Sequence, residues 1–242
     1  WFKSYIMKNI LVTGCSQGIG FEVVRIFAIR QDTNVLAIAR SQDGLSKLVK
    51  ECAIINPKFQ LHTLSLDLAE TKSIELIVKF VSEKMDNLLD GIIHNAGCLV
   101  NKPFTQITQE ELETSFKINI LSPFILTQKL MPCFTNKAHV LFVSSMGGLQ
   151  GSKKFPGLSA YSTSKSTLMT LTECLAEEFK MTDFTFNCLA LGAVQTEMLS
   201  KAFPGYKAPL SANEMGEFIV NFFIDGNKYF NGQVIPISLT TP

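Results

Sequence analysis

Short apolar runs rich in β-branched residues recur at 9–13, 35–39, 60–65, 91–94, 139–144, 185–189 and 233–237, each too short for a helix and mostly bounded by polar residues or glycine. They predict seven strands. Between them lie longer stretches with apolar residues three and four apart, at 19–29, 45–54, 71–84, 108–132, 159–180 and 212–224, which predict helices. Near-continuous apolar strands alternating with helices predict a parallel sheet covered on both faces. Right-handed crossovers make it a doubly wound, Rossmann-type α/β fold, with ligands at the carboxyl ends of the strands. No Pro/Gly/Ser-rich linker divides the 242 residues, so a single domain is expected over 7–242.

Composition narrows the partners. A formal net charge of +1, without basic clusters, gives no electrostatic footprint for nucleic acid or an anionic membrane surface. A small molecule is the expected partner. The six cysteines sit in apolar segments without zinc-finger or Cys-x-x-Cys spacing and read as reduced core thiols. With no long uncharged apolar run, a cytoplasmic location is expected. Residues 1–6 precede a Met7-Lys8 that reads as a natural start, so they are expected to be an added leader outside the domain.

The first predicted strand runs into Thr13-Gly14-Cys15-Ser16-Gln17-Gly18-Ile19-Gly20, and a helical pattern starts at once. Glycines there allow a tight turn and close approach of backbone to a pyrophosphate, whose charge is favoured at the helix start. An ordinary Gly-rich turn would share the string, but the strand-turn-helix context favours a dinucleotide. The second strand ends in Ala39-Arg40-Ser41, where an NAD site would place a carboxylate for the ribose 2′-hydroxyl. Arg40 with Ser41 could instead grip a 2′-phosphate, favouring NADP(H) over NAD, unless Arg40 is simply a solvated loop residue. Further on, Tyr161 and Lys165 are four apart in a helical pattern and share one face. An ammonium beside a phenol stabilises the phenolate, which makes a usable acid/base; alone, the spacing would also suit a core Tyr beside a snorkelling Lys.

With these motifs in order, residues 8–237 resemble the short-chain dehydrogenase/reductases that carry a Gly-x-x-x-Gly-x-Gly turn. The resemblance implies a sheet of strand order 3-2-1-4-5-6-7 and assigns roles. Gly14, Ser16, Gln17, Gly18, Ile19 and Gly20 would hold the pyrophosphate side of the cofactor. Asp67, with Leu68, would bind adenine, although alone it reads as a turn residue. Asn95, Ala96 and Gly97 would let backbone pass close to the cofactor; His94, where the family more often has Asn, reads as structural. Ser145 would hydrogen-bond the substrate carbonyl, with Ser144 the alternative. Asn119 would hold a water linking Lys165 to solvent, unless it is a mid-helix Asn bonding to backbone. Gly192, Val194 and Thr196 fit the nicotinamide loop, which lacks the family's proline and so loses expected stiffness.

The implied activity is hydride transfer between NADP(H) and a small carbonyl or alcohol, with Asn119, Ser145, Tyr161 and Lys165 catalytic, no metal, and a homodimer or homotetramer as the assembly. Carbonyl reduction is the expected direction. An NAD-dependent alcohol dehydrogenase of the same family remains an alternative. A dinucleotide sensor would have no use for all four catalytic residues, and a sugar-nucleotide epimerase would need a longer C-terminal region. Residues 199–209 stand where relatives carry a substrate lid, residues 151–157 are expected to bulge as a loop, and Lys153 and Lys154 hint faintly at an anionic substrate, though a solvated loop explains them as well.

Overall fold

The structure, a computed structural model, describes residues 8–30 and 33–239; the expected leader at 1–6 lies outside them. Strands β1 (Lys8–Thr13), β2 (Thr33–Ala39), β3 (Gln60–Ser65), β4 (Leu89–His94), β5 (Phe134–Ser145), β6 (Thr185–Leu191) and, after two short strands β7 (Val194–Gln195) and β8 (Leu210–Ser211), β9 (Val234–Ile237) are joined by helices. The main sheet has the order β3-β2-β1-β4-β5-β6-β9. Every pairing in it is parallel. The expected order therefore holds, with β9 as the seventh strand of the sheet. The β7–β8 pair stands apart as a two-stranded ribbon.

Successive residues of β1 point to opposite faces. Ile10 and Val12 pack with helices α1 (Gly18–Arg30), α2 (Gln42–Ile55) and, towards the C-terminus, α8 (Ala212–Asp225). Leu11 goes the other way, onto α3 (Thr71–Lys84) and α5 (Ser122–Leu130). Further along that second face, Val140 and Phe142 of β5 pack on α6 (Ser159–Glu178). Covering both faces explains why all seven residues of β2 are buried and why its sequence does not alternate. Each fully buried aliphatic side chain contributes about 1.5–3 kcal/mol.

One predicted helix differs from the observed structure. The stretch expected to run continuously over 108–132 is α4 (Gln109–Phe116), a π-helical turn (Lys117–Leu121), α5 and a 3-10 turn (Met131–Cys133). Apolar periodicity survives an inserted π turn, so the sequence pattern does not reveal it. A short helix α7 (Glu197–Ala202) fills part of the expected lid, and 151–157 is an irregular loop as expected. The expectation that all cysteines are core thiols is corrected: all six are free, but Cys174 is exposed and Cys98 half-buried. Among the described residues, no helix is long and apolar enough to cross a membrane.

At the amino end of β5 lies a closed polar cluster. His139 Nδ1 donates to Phe223 O (2.9 Å) and Asn187 Nδ2 lies 3.2 Å from His139 Nε2. Asn187 also donates to Phe230 O (2.9 Å) and accepts from Gln233 N (3.2 Å). The network assigns the proton to Nδ1, so the ring is neutral. Burial holds the His139 pKa down at about 4. These bonds lock α8 and the approach to β9 onto the sheet.

Candidate functional site

The opposite, carboxyl ends of the strands open into a cleft of about 1070 Å³. Its floor begins at the turn between β1 and α1. Gly14 (φ 75°) and Gly18 (φ 60°) are left-handed, which other residues adopt only with strain. A Cβ on Gly20 would come within 2.3 Å of Gly14 O and 2.4 Å of Asn95 Nδ2, so the third glycine is a packing requirement. Asn95 Nδ2 donates to the carbonyls of Thr13 (3.1 Å) and Gly14 (3.2 Å). In return, Thr13 Oγ1 accepts from the backbone N–H groups of Asn95 (3.1 Å) and Ala96 (3.0 Å). The turns after β1 and β4 are thus stitched together. The sequence reading placed Thr13 at the head of the motif but gave its hydroxyl no role; the only signal was its place as the last residue of a strand before glycine. Ser16, Gln17, Gly18 and Ile19 line the cleft, and the first turn of α1 supplies backbone N–H groups without helical partners beside them, a wall suited to phosphate oxygens.

Arg40, Ser41, Asp67 and Leu68 form the far end of the cleft. Arg40 is 68% exposed in its side chain and Nη1 lies 3.9 Å from Asp67 Oδ2, a loose pair that leaves the guanidinium able to turn to a ligand. Asp67 behaves as a turn residue does, its Oδ1 accepting from Ala69 N (2.9 Å), while Oδ2 faces the arginine. Ser41 caps α2, accepting from Gly44 N (3.1 Å). Gly44, another residue missed from sequence, lets Ser16 press on α2: a Cβ there would lie 2.6 Å from Ser16 O.

At the other end, the strand β5 presents two adjacent serines with different duties. Ser144 is buried and donates to Lys165 O (2.7 Å), fastening α6 to the sheet. Ser145 accepts from Gly147 N (3.2 Å), lines the cleft and hydrogen-bonds the Tyr161 side chain. Tyr161 and Lys165 stand on one face of α6, with Lys165 Nζ 5.9 Å from the Tyr161 ring centroid. Lys165 is 3% exposed, and its Nζ donates to Val143 O (2.8 Å). Burial lowers the lysine to about 8. Burial raises the tyrosine, and the Ser145 bond opposes that rise. The expected lowering of the phenol by its neighbouring ammonium is therefore outweighed by desolvation while Nζ is turned to Val143 O.

Asn119 is fully buried in the π turn. Its Oδ1 accepts from Cys98 N (2.7 Å), and its Nδ2 donates to Cys98 O (2.9 Å) and Ser164 Oγ (2.8 Å). It clamps the irregular segment following β4 against α6. Beside it, a Cβ on Gly97 would stand 3.4 Å from Lys165 Nζ and 3.5 Å from Asn119 Oδ1, so glycine keeps open the space between those two atoms. Gly192, Val194 and Thr196 line the same cleft. Gly192 N donates to Ile237 O (2.8 Å), a tie to β9 that stiffens a loop lacking proline. Thr196 caps α7 through Leu199 N (3.2 Å).

His94 lies outside this machinery. It is 3% exposed, bonds Thr127 Oγ1 (2.8 Å) and stacks on Phe142 with ring centroids 5.1 Å apart. Burial, then the Lys165 charge, lowers it to about 3.

The chain as a whole has relatives among known proteins. The family model described as short chain dehydrogenase matches residues 8–207. An L-xylulose reductase of Caenorhabditis elegans is 28% identical over 194 residues, 79% of this chain and 73% of that protein. A 3-oxoacyl-[acyl-carrier-protein] reductase of Thermotoga maritima is 26% identical over 242 aligned residues, covering 95% and 96% of the two chains. A short chain dehydrogenase of Shigella flexneri 2a, solved with NADP, superposes with a TM-score of 0.84 at 25% identity, covering 97% of this chain and 99% of that one. The chain belongs to the short-chain dehydrogenase family of oxidoreductases.

Proposed function

We propose that the protein reduces a small carbonyl compound with NADPH. The observation that carries this reading is one cleft that holds Arg40 at one end and the Ser145–Tyr161–Lys165 group at the other, with the glycine turn between them. The residues fit a dinucleotide: the N-terminal turn of α1 suits the pyrophosphate, Arg40 and the capped start of α2 a 2′-phosphate, Asp67 and Leu68 the adenine, and Asn95 to Gly97 with Gly192, Val194 and Thr196 the nicotinamide half. The NADP bound to the Shigella relative supports the same choice.

When bound, the dihydronicotinamide supplies the hydride that adds to the carbonyl carbon. Ser145 donates to the carbonyl oxygen and orients it. Tyr161, kept protonated at neutral pH by burial, gives its proton to that oxygen as negative charge develops. Lys165, held near a pKa of about 8, then supplies a proton to the phenolate, and water beside Asn119 Oδ1 and Gly97 replenishes it. Leu112, Leu121 and Phe124, between 42% and 49% exposed around the segment that carries Asn119, support a homodimer or homotetramer, which a solution mass measurement checks.

The test is a screen of NADPH oxidation over diverse ketones and aldehydes, repeated with NADH and with Arg40→Ser. Turnover with NADPH is expected, with the NADPH preference falling about tenfold in Arg40→Ser, the loss of one exposed charge-assisted contact. Equal efficiency with NADH in the unaltered protein would overturn the cofactor choice.

A further inference from the structure

Beyond Ser145 and Tyr161 the cleft is lined by Leu99, Met146, Phe155, Leu158, Met198 and Phe203, together with Leu199 and Tyr206 of the lid region. None carries a formal charge. The two charges on α7, Glu197 and Lys201, four apart on one helical face, are shared between this cleft and a separate polar hollow that they line with Ser16, Gln17 and Gly18. Glu197 Oε2 lies 3.6 Å from the Cβ position of Gly18, so that face of α7 looks at the glycine turn. Met198 and Phe203 are absent from that hollow and face only the larger cleft.

The lysines of the 151–157 loop do not supply a charge. Lys154 Nζ donates to Leu149 O and to Ser152 Oγ (2.8 Å), satisfying its own loop. Lys153 Nζ stands 5.7 Å from the centre of the Phe155 ring, and neither lysine lines the cleft. Both lysines thus take the solvated-loop reading. Phe155 and Phe203 meet edge to face, with centroids 6.5 Å apart and planes at 65°. Asn101 Nδ2 donates to Ala202 O (2.7 Å), so the end of α7 is tied across to the segment after β4. Lys102 N in turn donates to Gly157 O (3.0 Å). Three loops thus meet in an apolar roof whose rim, Phe155 at 40% and Met198 at 36% exposure, is left facing water. Apolar side chains clustered at the mouth of a cleft mark a binding surface for apolar ligands. An ionised group seated between these side chains would lose its water among apolar atoms.

We propose that the substrate is an uncharged ketone or aldehyde bearing an apolar, ring-sized group, received under Phe155 and Phe203, which act as specificity-determining residues. The proposal rests on the reductase reading above. Its test measures equilibrium binding of two alcohols of matched shape, 4-methylbenzyl alcohol and 4-(hydroxymethyl)benzoate, to the protein saturated with NADPH, a pairing that allows no turnover. The neutral alcohol is expected to bind at least about tenfold more tightly, the discrimination an apolar pocket gives. Phe203→Ala is expected to weaken the neutral alcohol by about tenfold at unchanged NADPH affinity, and Phe203→Lys to shift the preference towards the carboxylate. Equal or tighter binding of the carboxylate, no measurable binding of the neutral alcohol, or indifference of its affinity to Phe203→Ala overturns the proposal. Failure of NADPH itself to bind, read from its own fluorescence, overturns the reductase reading beneath it; NADPH binding with the wrong charge preference overturns the substrate class alone.

Discussion

The two ends of strand β5 each carry a buried polar cluster with displaced pKa values, yet they differ in what surrounds them. At the amino end, His139 and Asn187 bond to Phe223 O, Phe230 O, Gln233 N and each other, and the ring stacks on Phe223 at 5.1 Å and meets the tilted ring of Phe222 at 6.1 Å. At the carboxyl end, Ser145 and Tyr161 stand together and face a cleft. A perturbed pKa therefore does not identify a working residue by itself. His139 is shifted because it is enclosed; Tyr161 is shifted because it is half-enclosed, and the open side is where a substrate oxygen can enter. The contrast predicts that changes at the carboxyl end abolish activity and spare the fold, whereas changes at the amino end do the reverse.

The largest expected effect breaks the carboxyl end. Tyr161→Phe removes one hydroxyl and keeps the ring, so kcat/KM for carbonyl reduction should fall about 10³-fold, within the usual range for a general acid, while NADPH affinity and Tm stay put. Steady-state kinetics beside a thermal melt reads both. Surviving turnover would remove the Tyr161 assignment.

Next comes acid. His139 titrates near 4 and His94 near 3 in the folded protein, against about 6.5 when unfolded. Because the folded values are depressed, the unfolded chain takes up protons first as pH drops. The stability is fully present above pH 6.5 and is lost on descent towards 4, at about 1.4 kcal/mol per pH unit for each histidine. His139 alone should account for about 3 kcal/mol by pH 4. Urea unfolding at intervals between pH 6.5 and 5, above the carboxylate range, measures the slope. His139→Leu should reduce that slope by one histidine's share, and an unaltered slope would show that the ring is not held neutral.

How far each end could be read from sequence follows from the same contrast. Gly14, Gly18, Tyr161 and Lys165 were legible because backbone conformation and helical spacing leave a local signature: positive φ needs glycine, and four residues return to one helix face. The doubly wound parallel sheet was legible because strands alternate with helices and crossovers are handed, whereas its strand order came from the family resemblance. The His139–Asn187 cluster was not, since its partners Phe223, Phe230 and Gln233 are distant in sequence and contribute backbone atoms, which carry no residue code. The same holds for Val143 O, which receives Lys165 Nζ, and for Thr13, whose hydroxyl serves two backbone N–H groups. The π turn at Asn119 was hidden by apolar periodicity on either side of it, and Gly44 by the lack of any turn signal around it.

At the amino end, Asn187→Leu tests whether hydrogen bonding or mere volume matters. The substitution leaves Phe230 O, Gln233 N and His139 Nε2 without their partner in a region closed to water, which should cost about 2 kcal/mol and leave kcat unchanged. A matching loss of kcat would mean that the two ends of β5 are coupled.

The smallest expected effect sharpens the comparison by reversing its sign. Lys165 is buried at the carboxyl end with its pKa lowered to about 8, below the unfolded value near 10.4. A depressed lysine is a folded state that resists carrying the charge: stability is reduced below pH 8 and recovers as pH rises from 8 towards 10. Val143 O is its hydrogen-bond acceptor, and one carbonyl compensates a buried ammonium poorly. Lys165→Met keeps the aliphatic stem and discards the charge, so at pH 7 it should raise stability by about 1 kcal/mol while abolishing reduction. Parallel unfolding curves at pH 7 and 9 check the cause, because the gain should shrink at the higher pH. A variant that is less stable at both pH values would mean that the ammonium holds α6 to β5, and the lysine would then belong with His139 among residues that serve the fold.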